Sequence, residues 1–492
     1  MLAWLLTLGC DPAPDPATPL DTGAAVDPTT PIDTVDPVQW AARASLDLRG
    51  VRATPDELAR VAQDSDALAE LVATWIGAPA FSERMTWRYN DRLHMALGFT
   101  GVTVRDVQSL STAQREALGW EPLELVRATL AADRPFSDVV TASWLPRHAD
   151  QASVWGWDHS GGSWEPYGAP DSRPMAGILS SSSLWLRYDG DSNNHNRRRA
   201  NALADLFLCA DFLERDGDFE FDLSPEDLQD MENAIRTEPA CQSCHAALDP
   251  LAAQLGGFAE RSVPEPWDQL GVYSTFDEAW YRGWNAPAYF GTPTGDLTDL
   301  GAQIAGDRRF ATCTAQTFAE GLLGRPLTAD DPLDAWTQTL IDADLRVSEL
   351  ALAVVLSDPY GAADERTLAP DQLHAVLVDL GADDAALHEL SWDPDLRVLA
   401  GGSDDAQVLE PNRSPGLGHH LVLAWAGTEL AAQWSDPTTA DTRRADVTEL
   451  HWTLLSRAPS DAEVDALIDL YDAAGWDAVV QGLVRHPEFL IY

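Results

Sequence analysis

Three times along its 492 residues this chain runs from a short segment into a hydroxyl-bearing residue, then through two helix-length stretches to a proline with an aromatic just beyond it. The first copy reads Leu46 to Arg49, Thr54-Pro55-Asp56-Glu57 and Pro79-Ala80-Phe81. The second reads Leu323-Gly324-Arg325-Pro326-Leu327-Thr328 and Ser357-Asp358-Pro359-Tyr360. The third reads Leu455-Ser456-Arg457-Ala458-Pro459-Ser460, Glu463 and His486-Pro487-Glu488-Phe489. Between these marks apolar residues recur every three or four positions, as in Leu58, Val61, Leu68, Leu71, Val72 and Trp75, the period of a helix with one buried face. Thr54 with Glu57, and Ser460 with Glu463, fit the capping box, in which hydroxyl and carboxylate satisfy orphan amides at a helix start. The closing proline cannot continue the preceding helix, and the aromatic after it can fold back as an apolar lid. The pattern predicts a mainly α fold built on helical hairpins, a structural rather than a chemical motif.

Asp and Glu outnumber Lys and Arg by 79 to 32, a formal charge of −47. Such a charge repels nucleic acid phosphates and anionic lipid surfaces, so nucleic acid is excluded as a partner. The excess reads as a well-hydrated acidic surface; the sharper alternative is an acidic face that docks a basic redox partner. With 45% hydrophobic residues and 19 Trp the chain has enough apolar surface to fold. No stretch approaches the roughly 18 to 20 apolar residues of a spanning helix. Met1 to Gly9 is apolar and uncharged, and with Leu8-Gly9 before Cys10 it reads as the end of a lipoprotein signal, lacking a basic start and carrying Thr7 where an aliphatic residue is usual. Asp11 to Pro37, mostly Asp, Pro, Thr and Ala, reads as a solvated tether. Together they predict an exported protein, periplasmic or at the cell surface, held to a membrane only by lipid on Cys10.

The chain divides on this reading into a signal (1–10), a tether (11–38), an N-terminal helical domain (39–150), an irregular Trp-rich and helical segment (151–236), a C-x-x-C-H region with a closing helical domain (237–365) and a C-terminal helical domain (366–492). In the irregular segment Trp155, Trp157, Trp164 and Tyr167 either fill the core under a long loop, the favoured reading, or form a flat surface for sugar. Asp189, Asp191 and Asn193 begin like a calcium loop, but Asn194 replaces the turn glycine and Ala200 the closing carboxylate. Asp216-Gly217-Asp218 with Glu220 and Asp222 fails likewise, and both read as solvated turns. The chain carries neither a nucleotide-binding glycine loop nor a G-x-S-x-G nucleophile turn.

Chemistry is concentrated in Cys241-Gln242-Ser243-Cys244-His245, a C-x-x-C-H sequence of the kind that attaches c-type haem. Two thiols three residues apart reach the two porphyrin vinyl groups, and the adjacent imidazole becomes an axial iron ligand. A zinc site would need two further ligands at compatible spacing, and no second C-x-x-C or H-x-x-x-H follows. A thioredoxin-like dithiol would need a βαβ setting, and a plain Cys241–Cys244 disulfide remains the competing reading. For the other face of the iron, Met175 is the best-placed thioether, with His159 and His195 as imidazole candidates. If Cys10 takes lipid and Cys241 and Cys244 take haem, Cys209 and Cys313 remain, either as a disulfide or as separate buried thiols.

Cys241 to Leu251, including Leu248-Asp249-Pro250 and followed by Gly257-Phe258, resembles the C-x-x-C-H-x-x-I-D-P element of planctomycete-type cytochrome c proteins, large exported bacterial proteins of several domains. Gly177-Ile178-Leu179, Arg197-Arg198-Arg199 and Leu208-Cys209 resemble the segment before that element. Gly295-Asp296-Leu297, Phe310, Cys313 and Leu323-Gly324-Arg325 resemble its closing domain. The match is good from Met175 to Tyr360 and weak in the flanking hairpins; it departs at Ala253 and at Gly256-Gly257. The resemblance implies covalent haem c and export but supplies no reaction. The leading expectation is a lipid-anchored c-type haem protein that transfers electrons to an unidentified partner or assists a redox enzyme. Its competitors are a haem oxidoreductase with an open sixth site, and a helical cell-surface protein that binds polysaccharide or protein and whose C-x-x-C is a disulfide.

Overall fold

A computed structural model describes residues 36–99, 110–169, 171–189, 195–213, 228–258, 273–362, 365–412, 414–439 and 441–492. Cys10, the signal, nearly all of the tether and most of both acidic turns therefore lie outside the described residues. The chain is mainly helical, with 25 α-helices among the described residues and only two small antiparallel ribbons, Leu145–Arg147 with Glu165–Tyr167 and Ala288–Tyr289 with Thr292–Pro293. No helix among the described residues is long and apolar enough to cross a membrane.

The three copies fold alike at their starts because one device serves each. Glu57 accepts the Thr54 amide at 2.8 Å while its own amide reaches the Thr54 hydroxyl at 3.3 Å, opening the helix Pro55–Gln63. Glu463 and Ser460 repeat this at 2.7 and 3.3 Å ahead of the helix Asp461–Ala474. In the middle copy Asp331 takes the Thr328 amide at 2.7 Å just before the helix Leu333–Asp342. An arginine from the preceding segment then grips each carboxylate with two prongs: Arg49 on Glu57 (3.1 and 3.0 Å), Arg325 on Asp331 (2.7 and 2.8 Å) and Arg457 on Glu463 (3.1 and 2.6 Å). Paired forks of this kind are stronger than neutral hydrogen bonds and fix geometry as well. The aromatics past the closing prolines, Phe81, Tyr360 and Phe489, are all buried.

Two apolar cores result. One gathers residues from Ala41 to Tyr360, and the other gathers residues from Leu368 to Leu490. The helix Pro37–Arg49 serves both, with Ala44 and Leu48 in the first and Leu46 in the second. Asp47, on the same helix and fully buried, accepts the Tyr360 hydroxyl at 2.6 Å and the Tyr492 hydroxyl at 2.8 Å and pairs with Arg366. This one carboxylate joins the first hairpin, the second hairpin and the C-terminus. Cys209, which ends the helix Arg197–Leu208, lies at disulfide distance from Cys313 on the helix Arg308–Leu323, their Cα atoms 5.3 Å apart. The bond ties the segment before the C-x-x-C-H helix to the domain after it.

Of Trp155, Trp157, Trp164 and Tyr167, Trp155 is the full core residue; Trp157 packs partly on the core, 5.9 Å from the Tyr167 ring on the ribbon. Trp164 instead lies 5.2 Å from His148. Gly177, with φ +52°, lets the turn after Met175 approach so closely that a Cβ there would stand 2.0 Å from the Val139 carbonyl oxygen. That approach explains the glycine of Gly177-Ile178-Leu179.

Candidate functional site

Pro239 opens the helix Pro239–Gln254, where its missing N–H costs nothing and its fixed φ suits the first turn. Cys241 therefore falls in the first turn, and Cys244 and His245 follow on the next. Both cysteines are half-buried free thiols. Their spacing places them on neighbouring parts of one helix surface, as side chains three residues apart are. Cys244 and Ala247 lean on the edge of the first core, which anchors this face of the helix.

His245 is oriented from within the same helix. Its Nδ1 lies 2.9 Å from Oδ1 of Asp249, one turn on, and Asp249 is buried. Arg197, from the start of the helix Arg197–Leu208, grips that carboxylate at 2.7 Å through Nε and 3.0 Å through Nη2. Burial alone would raise the Asp249 pKa, but the bonds from His245 and Arg197 outweigh it and hold the carboxyl below its ordinary value. An ionised carboxylate only accepts hydrogen bonds, so Nδ1 of His245 is the donor. In the neutral imidazole the lone pair then sits on Nε2. A ligating histidine whose other ring nitrogen is held by a carboxylate is the usual arrangement around protein-bound metals.

His245 and Asp249 face an open cleft of about 420 Å³, whose other walls include His195, Arg197, Trp284 and Asn285. Gln242 and Ala246 of the same helix line this cleft, whereas Cys241 and Cys244 do not. Two thiols outside any disulfide and one imidazole thus share this helix, and Asp249 engages only Nδ1 of the imidazole. Among the described residues no cluster of three or more His, Cys, Asp or Glu is placed to hold a bare metal ion.

The structure does not bring Met175 to His245. Met175 is tied by its carbonyl to the Thr298 hydroxyl at 3.3 Å and sits beside the turn that Gly177 and Ile178 pin to the Ala142 and Val139 carbonyls. His159 lies on the loop between the two strands of the first ribbon and is also absent from the cleft wall. His195 does line it. Sequence reasoning missed the Arg197–Asp249 link, although both residues stood in the quoted motifs, because no spacing rule connects positions 52 residues apart. It also missed Trp284, which no motif marks.

No protein-family model, curated protein or solved structure matches the chain.

Proposed function

We propose that this chain is an exported, lipid-anchored c-type haem protein that passes electrons to a redox partner or assists a redox enzyme. The observation that carries the reading is the state of three side chains on one helix: two thiols outside any disulfide and an imidazole whose Nδ1–H donates to Asp249. Cys241 and Cys244 would each add S–H across a vinyl group, sulfur to one carbon and hydrogen to the other, so attachment consumes no oxidant. His245 would present Nε2, with Asp249 and Arg197 fixing the ring. Haem, when bound, supplies a one-electron iron couple. The resemblance of Cys241–Leu251 to planctomycete-type cytochrome c proteins supports the same reading, and Met1–Cys10 supports export and anchoring.

Expression in a host with working c-haem attachment machinery tests it. The protein should stain for haem on a denaturing gel and show the reduced c-type absorption band. Cys241→Ser with Cys244→Ser should abolish the covalent signal entirely while leaving the helical circular dichroism and the unfolding temperature close to those of the parent. A colourless parent protein from that host overturns the proposal.

A further inference from the structure

In a chain with 79 acidic and 32 basic residues, the cleft beside Asp249 has the opposite balance. Arg197, Arg236, His195 and Asn285 stand in its wall, and among the described residues Asp249 is the one carboxylate that lines it. That carboxylate is already matched: Arg197 forks it through Nε and Nη2, and His245 donates to it through Nδ1. Nη1 of Arg197 takes no part in the fork. Arg236 is exposed on the last turn of the helix Leu228–Thr237, and its carbonyl accepts from Gln242 on the C-x-x-C-H helix, which fixes that turn at the cleft. Two guanidinium groups against one satisfied carboxylate leave about 420 Å³ of net positive cleft in an acidic molecule.

The donors are set before any ligand arrives. Asn196 is fully buried, its Nδ2 donating to the Leu255 carbonyl at 3.3 Å and its Oδ1 accepting from Arg199 Nη1 at 3.1 Å. Both His195 (φ +52°) and Asn196 (φ +63°) hold the left-handed conformation, uncommon for residues other than glycine. Backbone of this kind persists only where its surroundings over-determine it, and it gathers at functional sites. Here it puts His195 and Arg197 in the cleft wall while the residue between them is locked inside. Trp284, in the same wall, steadies both: the His195 ring lies 4.7 Å away at 17°, and the Arg197 guanidinium carbon lies 5.4 Å from the indole centroid. Ordering side chains that are already held costs little on binding.

We propose that this cleft binds a small metabolite carrying a phosphate or carboxylate oxyanion. Arg197 and Arg236 pair with its charge, since a planar guanidinium matches two oxygens of either group, and the His195 ring and the Asn285 amide bound the rest of the anion. The inference does not rest on haem: Asp249 holds His245 through Nδ1 whether or not Nε2 meets an iron.

Calorimetric titration of the full-length chain with inorganic phosphate and, separately, with succinate tests it. At least one should bind at a single site, and Arg236→Gln, a change at an exposed side chain, should weaken that binding about tenfold. Arg485→Gln removes the same charge from an exposed position in the C-terminal domain and should leave the affinity unchanged. His195→Asn keeps a residue that tolerates the left-handed turn but takes the ring off Trp284, and it should also weaken binding. Binding of phosphate alone assigns a phosphate ester as the ligand, and binding of succinate alone assigns a carboxylate. Failure of both anions to bind the parent overturns the inference. So does an R236Q affinity equal to the parent's, or an equal loss in R485Q, which would mark general charge attraction. A parent that lacks haem yet binds either anion refutes the haem reading and leaves this one standing.

Discussion

Arg457 grips Glu463 and Arg197 grips Asp249 through the same two-pronged contact, but the third partner of each carboxylate differs. At the hairpin the carboxylate closes on the Ser460 backbone amide and hydroxyl, with His451 Nε2 farther off at 3.9 Å. At the C-x-x-C-H helix it closes on an imidazole, and one ring nitrogen is left over. A fork whose third partner is backbone is a staple. A fork whose third partner is an imidazole orients a ring instead. Exposure follows the same division: Glu463 is 35% exposed at its side chain, whereas Asp249 is 10% exposed.

The largest effect expected from breaking this contrast lies at Arg197. Arg197→Ala strands a buried carboxylate and should cost about 3 kcal/mol at pH 7. Arg457→Ala, on a half-exposed pair, should cost about 1 kcal/mol or less. The Asp249 pKa is lowered in the fold, so its contribution is present at neutral pH and is lost as pH falls below the unfolded value of about 4. The penalty of R197A should accordingly shrink on acidification, and chemical denaturation at pH 7 and pH 3.5 measures it. Equal penalties for R197A and R457A would show that the two forks do the same job.

Glu121 sharpens the comparison because it is a fully buried carboxyl with no arginine fork. Burial pushes its pKa up to about 7, against the lowering effects of the Ser183 hydroxyl and Arg173. The folded state therefore keeps a proton that the unfolded state releases near pH 4 to 5, and stability falls as pH rises through about 7. Glu121→Gln should remove on the order of 2 kcal/mol of that decline between pH 5 and pH 8. A stability profile unchanged by E121Q would mean that the carboxyl is already ionised inside the fold.

The residues differ in how much of this could be read from sequence. Helix starts at Thr54 and Ser460 were legible because the capping box is local: hydroxyl and carboxylate stand three residues apart and meet wherever a helix begins. The hairpin arginines were visible as repeated letters, but their grip on Glu57, Asp331 and Glu463 was not, since it depends on how the preceding segment turns. The C-x-x-C-H letters were likewise local, whereas the helix that carries them opens at Pro239 without a side-chain cap. The partner of Asp249 was not, because Arg197 follows a left-handed turn at His195 and Asn196 that no local motif marks. Met175 looked suitable only by its chemistry; the close approach of Gly177 to Val139 commits that turn to the first core instead.

The smallest effect expected is at the cap itself, and it separates the copies of the hairpin from one another. Ser460→Ala removes the acceptor for the Glu463 amide and the 2.8 Å bond from the Ser460 hydroxyl to Glu463. Losses of this kind are typically about 1 kcal/mol, and Ser460→Gly should recover most of it. Thr54→Ala should cost less than S460A, because Glu57 is also held by the Trp75 indole at 2.9 Å and keeps its place without the cap. Paired urea denaturation of the two variants measures the difference. If T54A proved the more damaging, the indole would not be bracing Glu57, and the first hairpin would owe its start to the capping threonine alone.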